Sequence, residues 1–142
     1  MVAGRLADPD AGHPDPRMAA YLRGEHHPTE ALPPRIGCVA ERAGRVVGYI
    51  AGHLTRRFDC DGELQYLFVS SAVRRQGVAR ELTRRLAVWM RQQGARRVCV
   101  NVDAESPAAG PFYLALGAEP LRPHWMVWRD FAVIVTNQEP AP

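Results

Sequence analysis

The stretch VRRQGVARELTRRLAVWM, residues 73–90, could do chemistry through its backbone alone. Gly77 and Ala79 sit among Arg74, Arg75, Gln76 and Arg80, directly ahead of an apolar repeat with helical spacing. A turn that runs into a helix leaves several amide N–H groups without carbonyl partners, all aimed at one point. The helix dipole adds partial positive charge there, so the turn is an anion site suited to phosphate. Gly77 lets a ligand approach the backbone closely, and the arginines can add charge. Two known phosphate patterns do not fit. The Walker loop needs Lys-Ser/Thr after its second glycine, and the dinucleotide fingerprint needs three glycines. A basic helix that grips nucleic acid is the competing reading. Against it, the stripe Val78, Leu82, Leu86 and Met90 must face a core, and no aromatic residues interleave the arginines.

Metal and thiol chemistry have little support. Cys38, Cys60 and Cys99 have neither metal-ligand spacing nor an even count. Cys38 and Cys99 lie in apolar runs and read as buried thiols. No metal site is expected. The chain has 142 residues, the size of one domain with a real core. Its 46% hydrophobic and 23% charged composition is ordinary for a globular protein. A net charge of +3 and a pI near 9.1 lean basic without reaching the level of a dedicated nucleic-acid binder. No signal peptide and no apolar run of membrane-spanning length is visible. A reducing cytoplasm is the expected location, with neither nucleic acid nor membrane as partner.

The elements that must position the 73–90 turn can be read from periodicity. Residues 1–35 are rich in Pro, His, Gly and Asp and give one short helix, Asp15–Arg23. Pro28, Pro33 and Pro34 argue against a long element after it. IGCVAE and RVVGYIAGHLT read as a hairpin with Gly44 in the turn. LQYLFV is a third strand. Residues 76–93 form the strongest helix, stopped by Gly94. RRVCVNV is apolar on both faces and reads as a central strand. SPAAGPFYLALG is a second helix, in which either Ser106 caps and Pro111 strains the next turn, or the helix begins at Pro111. EPLRPHWMVW gives one or two short strands, and FAVIV a further apolar run. The order predicts a mixed α/β domain with one βαβ crossover from LQYLFV to RRVCVNV.

The pattern Arg74-x-x-Gly77-x-Ala79, after LFV and before an amphipathic helix, resembles motif A of the GNAT superfamily of acetyl-CoA-dependent N-acetyltransferases. SPAAGPFYLALGAEP, residues 106–120, is similar to the family's second motif, with Phe-Tyr shortly before a terminal glycine. One strand separates the two motifs, as the family requires. The resemblance implies the acyl-CoA N-acyltransferase fold, a mixed and mostly antiparallel twisted sheet flanked by helices. It implies residues 36–130 as the core, residues 1–35 as a short N-terminal segment and 131–142 as a strand or tail.

The resemblance also implies roles. LQYLFV would carry a bulge that splays it from RRVCVNV, and the pantetheine arm of coenzyme A would enter the gap against the main chain of Leu67, Phe68 and Val69. The amides of Arg75, Gln76, Gly77, Val78 and Ala79 would hold the pyrophosphate, with Arg74 or Arg80 near a phosphate. Tyr113 matches the tyrosine that many members use as general acid, and Ser106 would cap its helix or touch coenzyme A. A phenol of reference pKa near 10 is protonated at neutral pH and can donate to a departing thiolate. An amine of pKa about 10.4 costs roughly 4–5 kcal/mol to deprotonate at pH 7, so a carboxylate is wanted as base. Glu63 is the choice, and His53 a weaker candidate. Some members have glutamate where this chain has Gln65. Asp59, Asp61 and Glu63 crowd one turn and could attract a cationic amine.

Two departures matter. Most members open with an additional strand and a helix pair that wall the acceptor pocket. Here the N-terminal part reads as shortened, with VAGRLA only a faint strand. The acceptor side would then be open or completed by a homodimer, for which FAVIV and HWMVW would suit a sheet edge. The resulting expectation is transfer of an acetyl group from acetyl-CoA to a primary amine of a small molecule or peptide. The alternative is an acyl-CoA-binding regulatory module of the same fold with little catalysis.

Overall fold

In the computed structural model, which describes residues 3–6, 16–102 and 106–136, the hairpin around Gly44 joins the two longest strands. β2 (Ala31–Arg42) and β3 (Arg45–Thr55) pair antiparallel from Ala31↔Thr55 to Arg42↔Arg45. Ala43 and Gly44 both have positive φ, as a two-residue turn matching strand twist requires. β2 starts earlier than expected and runs through Pro33 and Pro34. A register shift between Leu32 and Arg35 absorbs them. On the other side, among the described residues, β2 is paired from Cys38 to Glu41, and this pairing does not reach the prolines, so it asks no N–H of them. The pairing strand there is β1 (Ala3–Leu6). The faint strand in VAGRLA is therefore real, and the expected loss of the first strand is corrected.

α1 (Pro16–Leu22) lies within the expected Asp15–Arg23, although Asp15 falls outside the described residues. β4 (Gly62–Val69), α2 (Val78–Gln92) and β5 (Val98–Asn101) form the predicted crossover. α3 (Ala109–Ala115) follows, with Pro111 in its first turn, where the N–H it lacks would have had no partner. Ser106 makes no side-chain cap, because the helix is entered through Ala108. β6 (Glu119–Arg122) and β7 (Trp125–Trp128) pair antiparallel, and α4 (Val133–Thr136) occupies the FAVIV run.

Among the described residues seven strands make one sheet in the order β1-β2-β3-β4-β5-β7-β6, with β4–β5 their single parallel neighbour pair. β7 sits between β5 and β6, and FAVIV is helical, with Phe131 and Ile134 buried on the core. Neither stretch is a sheet edge, which corrects the proposed dimer contact. The edge strand at this end of the sheet is β6, whose Pro120 and exposed Glu119 and Arg122 discourage added strands.

One face of the sheet carries α2, α3 and α4. Val78, Leu82, Leu86 and Met90 of α2 pack with Ile50, Leu64, Val98, Val100 and Tyr113. The helix lies hard against the strands: a Cβ added at Gly52 would stand 2.8 Å from the Glu63 carbonyl oxygen and 3.0 Å from Leu86 Cδ1. The opposite face carries α1, where Met18 and Tyr21 bury against Val39, Tyr49 and Ala51. Cys38, Cys60 and Cys99 are buried free thiols, as expected for Cys38 and Cys99.

Candidate active site

A defect in the sheet makes the site. Opposite Ala51 and Gly52 of β3, β4 places Tyr66 and Leu64, so Gln65 is an extra residue and β4 bulges there. Up to the bulge, Gly62, Glu63 and Leu64 pair with Val98, Cys99 and Val100 of β5. Beyond it, β4 stays on β3 as far as Val69 and leaves β5. The strands part into a cleft of about 520 Å³. Glu63, Gln65, Leu67 and Phe68 line one wall, and Asn101, Ser106 and Tyr113 stand on the other side.

At the far end of β4 the chain turns into α2. Arg75 has φ 64° and Gly77 φ 79°, both in the left-handed region. The first bond of the α2 ladder is Glu81 N–H to the Gly77 carbonyl, 3.0 Å. The amides of Gly77, Val78 and Ala79 therefore precede the ladder and have no carbonyl one turn back. Arg74, Arg75, Gln76, Gly77 and Arg80 are exposed, while the Val78 side chain is buried in the core and could offer a ligand only its amide. Arg74 Nε donates to the Val69 carbonyl at 3.4 Å, and Arg42 Nη1 donates to Gln76 Oε1 at 2.9 Å. Further along, Arg84 and Arg85 bind Glu81 at 3.0 and 3.3 Å, so these two arginines act within the helix. Val69 and residues 74–80 do not line the cleft itself.

Glu63, although 3% exposed, lines the cleft. Its Oε2 is 3.5 Å from Arg57 Nη1 and its Oε1 is 3.6 Å from His53 Nε2. Arg57 is itself seated 4.6 Å over the Trp125 ring. The expected acidic cluster separates. Asp61 Oδ2 accepts the Arg96 and Arg97 amides at 3.0 and 2.9 Å, so it fastens a loop, and Asp59 lies outside the cleft lining. Tyr113 is 6% exposed and packs edge-on to Trp128, ring centroids 5.5 Å apart. Burial pushes its phenol up to about 12. It is a hydrogen donor throughout the neutral range. Exposed Ser106 lines the cleft beside it.

Three contributors were not anticipated. Arg57 and Trp125 are 68 positions apart and meet only through the fold, and Tyr21 reaches His53 from α1 at 2.7 Å. The Gln65 side-chain oxygen is buried without a partner at the bulge. The bulge itself was implied by the family resemblance for LQYLFV, but nothing local to Tyr21 or Arg57 signals a role.

The model of the acetyltransferase (GNAT) family matches residues 5–118. The chain belongs to the GNAT family. Its match starts in β1, covers the first motif and takes in most of the second, through Ala118. No match was found among curated proteins. Among solved structures, this GNAT chain is similar to Ard1 from Thermoplasma volcanium, with 19% identity and TM-score 0.68 over 91% of this chain and 97% of that one. It is similar to the IAA acetyltransferase from Bacillus cereus, with 18% identity and TM-score 0.66 over 86% and 79% of the chains. The toxin AtaT, in complex with the C-terminus of the antitoxin AtaR, shares 12% identity and TM-score 0.70 over 99% of each chain. At such identities the common property is the GNAT fold.

Proposed function

We propose that the chain is an N-acetyltransferase that moves the acetyl group of acetyl-CoA directly onto a primary amine. The observation that carries this reading is the cleft at the β4 bulge, where a buried carboxylate, Glu63, and a protonated phenol, Tyr113, line the same space. Main-chain groups of Leu67, Phe68 and Val69 that point away from β3 have no β5 partner and suit the pantetheine amides. The amides from Arg75 to Ala79 suit the pyrophosphate, with Arg74 and Arg80 beside it. Ser106 contacts the same ligand at the mouth.

Glu63 takes a proton from the arriving ammonium and releases it to water. The amine adds to the thioester carbonyl, the C–S bond breaks, and Tyr113 gives its proton to the leaving sulfur. The proton that the nitrogen then sheds restores Tyr113 through water. The scheme draws on these side chains and water alone. The test is release of free thiol from acetyl-CoA over a panel of small amines, amino acids, aminoglycosides and peptides. We expect release with at least one acceptor class, and a fall of about 100-fold or more in Glu63→Gln. Binding of acetyl-CoA with no release across the panel would instead make the chain an acyl-CoA-binding module.

A further inference from the structure

Four residues distant in the chain stand in one row across the sheet. Arg35 of β2 is opposite His53 of β3, His53 is opposite Glu63 of β4, and Glu63 is opposite Cys99 of β5. Side chains of directly opposed residues share a face. Tyr21, fully buried on α1, lies over this row with its hydroxyl 2.7 Å from His53 Nδ1. Arg35 fixes it there: Nη1 donates to the Tyr21 carbonyl at 2.7 Å, and the guanidinium lies 4.7 Å over the Tyr21 ring. Among the described residues, the polar groups around His53 and Glu63 include Tyr21 from α1, Arg35 from β2, Arg57 from the turn after β3, Tyr66 from β4 and Cys99 from β5.

Hydrogen-bond accounting decides which ring nitrogen carries the hydrogen. His53 Nε2 and Glu63 Oε1 are buried, neither has a hydrogen-bond partner, and they face each other at 3.6 Å. A lone pair on Nε2 would set two desolvated acceptors against one another, which is costly. A hydrogen on Nε2 sets a donor against a carboxylate. That choice leaves Nδ1 as the acceptor, and the Tyr21 hydroxyl is the donor beside it. Burial pushes the Tyr21 phenol far above its ordinary range, so it keeps its hydrogen. The 3.6 Å separation is longer than a formed hydrogen bond. Catalytic pairs are often this open before substrate arrives and tighten in the complex.

We propose that Tyr21 and His53 are positioning residues for Glu63: the Tyr21 hydroxyl holds the His53 ring in the tautomer whose Nε2–H faces the Glu63 carboxylate. The inference rests on Glu63 acting as the base in amine acetylation. His53 then aims one carboxylate oxygen while Arg57 anchors the other, and the wrong tautomer would push the carboxylate off line.

The first measurement needs no acceptor. Long-range ¹H–¹⁵N spectra of histidine-labelled protein at pH 8, with His53 assigned by its loss in His53→Gln, report the tautomer directly. We expect the Nε2–H form in the wild type and an admixture of the Nδ1–H form in Tyr21→Phe. A wild-type Nδ1–H form or imidazolium would overturn the relay, as would an unchanged tautomer in Tyr21→Phe. The second measurement is thiol release with whichever panel amine reacts fastest. Tyr21→Phe should lower kcat by about 10- to 100-fold at nearly constant KM. His53→Gln, whose amide can still donate, should retain more activity than His53→Leu. Equal losses in those two variants, with native melting temperatures, would show that packing alone is at stake and sink the idea. If the wild type releases no thiol with any amine, the acetyltransferase reading fails, and the tautomer spectra alone then judge the Tyr21–His53 contact.

Discussion

Burial holds the Tyr113 phenol in its neutral form. A shift from 10.0 to about 12 favours the neutral phenol by roughly 3 kcal/mol. Because the folded value is raised, this stabilisation is complete below pH 10 and is lost as the pH rises through about 12. The melting temperature of the wild type should therefore fall faster between pH 10 and 12 than that of Tyr113→Phe. At neutral pH the same substitution should lower turnover by about 100-fold and leave the affinity for acetyl-CoA nearly unchanged. An unaltered rate would remove Tyr113 from the mechanism. The site was half legible at this scale. The family resemblance put Tyr113 and Ser106 forward, the need for a carboxylate put Glu63 forward, and all three line the cleft. Tyr21, Arg57 and Trp125 could not be foreseen, since their partners lie across the sheet and no local pattern connects them.

Among the elements, α2 was the most legible and is the most telling. Its four-residue apolar repeat is the face that packs on β2, β3 and β4, and Arg84 and Arg85 pair with Glu81. Leu86 is fully buried, so Leu86→Ala should cost about 2–5 kcal/mol, read as a shift in the urea midpoint. A shift under about 0.5 kcal/mol would mean that the helix does not seat as described. Strand β1 and the first residues of β2 were poorly legible for a physical reason. β1 is four residues long, and β2 runs through two prolines, so neither carries a clean alternation. The FAVIV run misled because four or five apolar residues satisfy a strand and a short buried helix equally well. Pro111 was misjudged because the chain enters α3 two residues before it, within the turn that tolerates proline.

For the molecule as a whole, binding and stability should be linked through the turn at Gly77. A ligand at 100 times its Kd that binds only the folded state adds about 2.7 kcal/mol, so acetyl-CoA should raise the melting temperature clearly. Gly77→Glu should abolish that rise. There is room for a side chain, since no atom lies within 4 Å of an added Cβ, but the φ of 79° disfavours one and the carboxylate repels pyrophosphate. An undiminished rise would move the phosphate site elsewhere. The bulge at Gln65 has one last consequence. A sheet whose middle strands separate has an unfinished seam, and amides there should exchange with deuterated water faster than those of the β2–β3 hairpin. A substrate arm laid along Leu67 to Val69 would act as a temporary strand that closes the seam. Deuterium uptake of residues 65–69 should slow when acetyl-CoA is added and recover when coenzyme A leaves, making each turnover a cycle of completing and reopening the sheet.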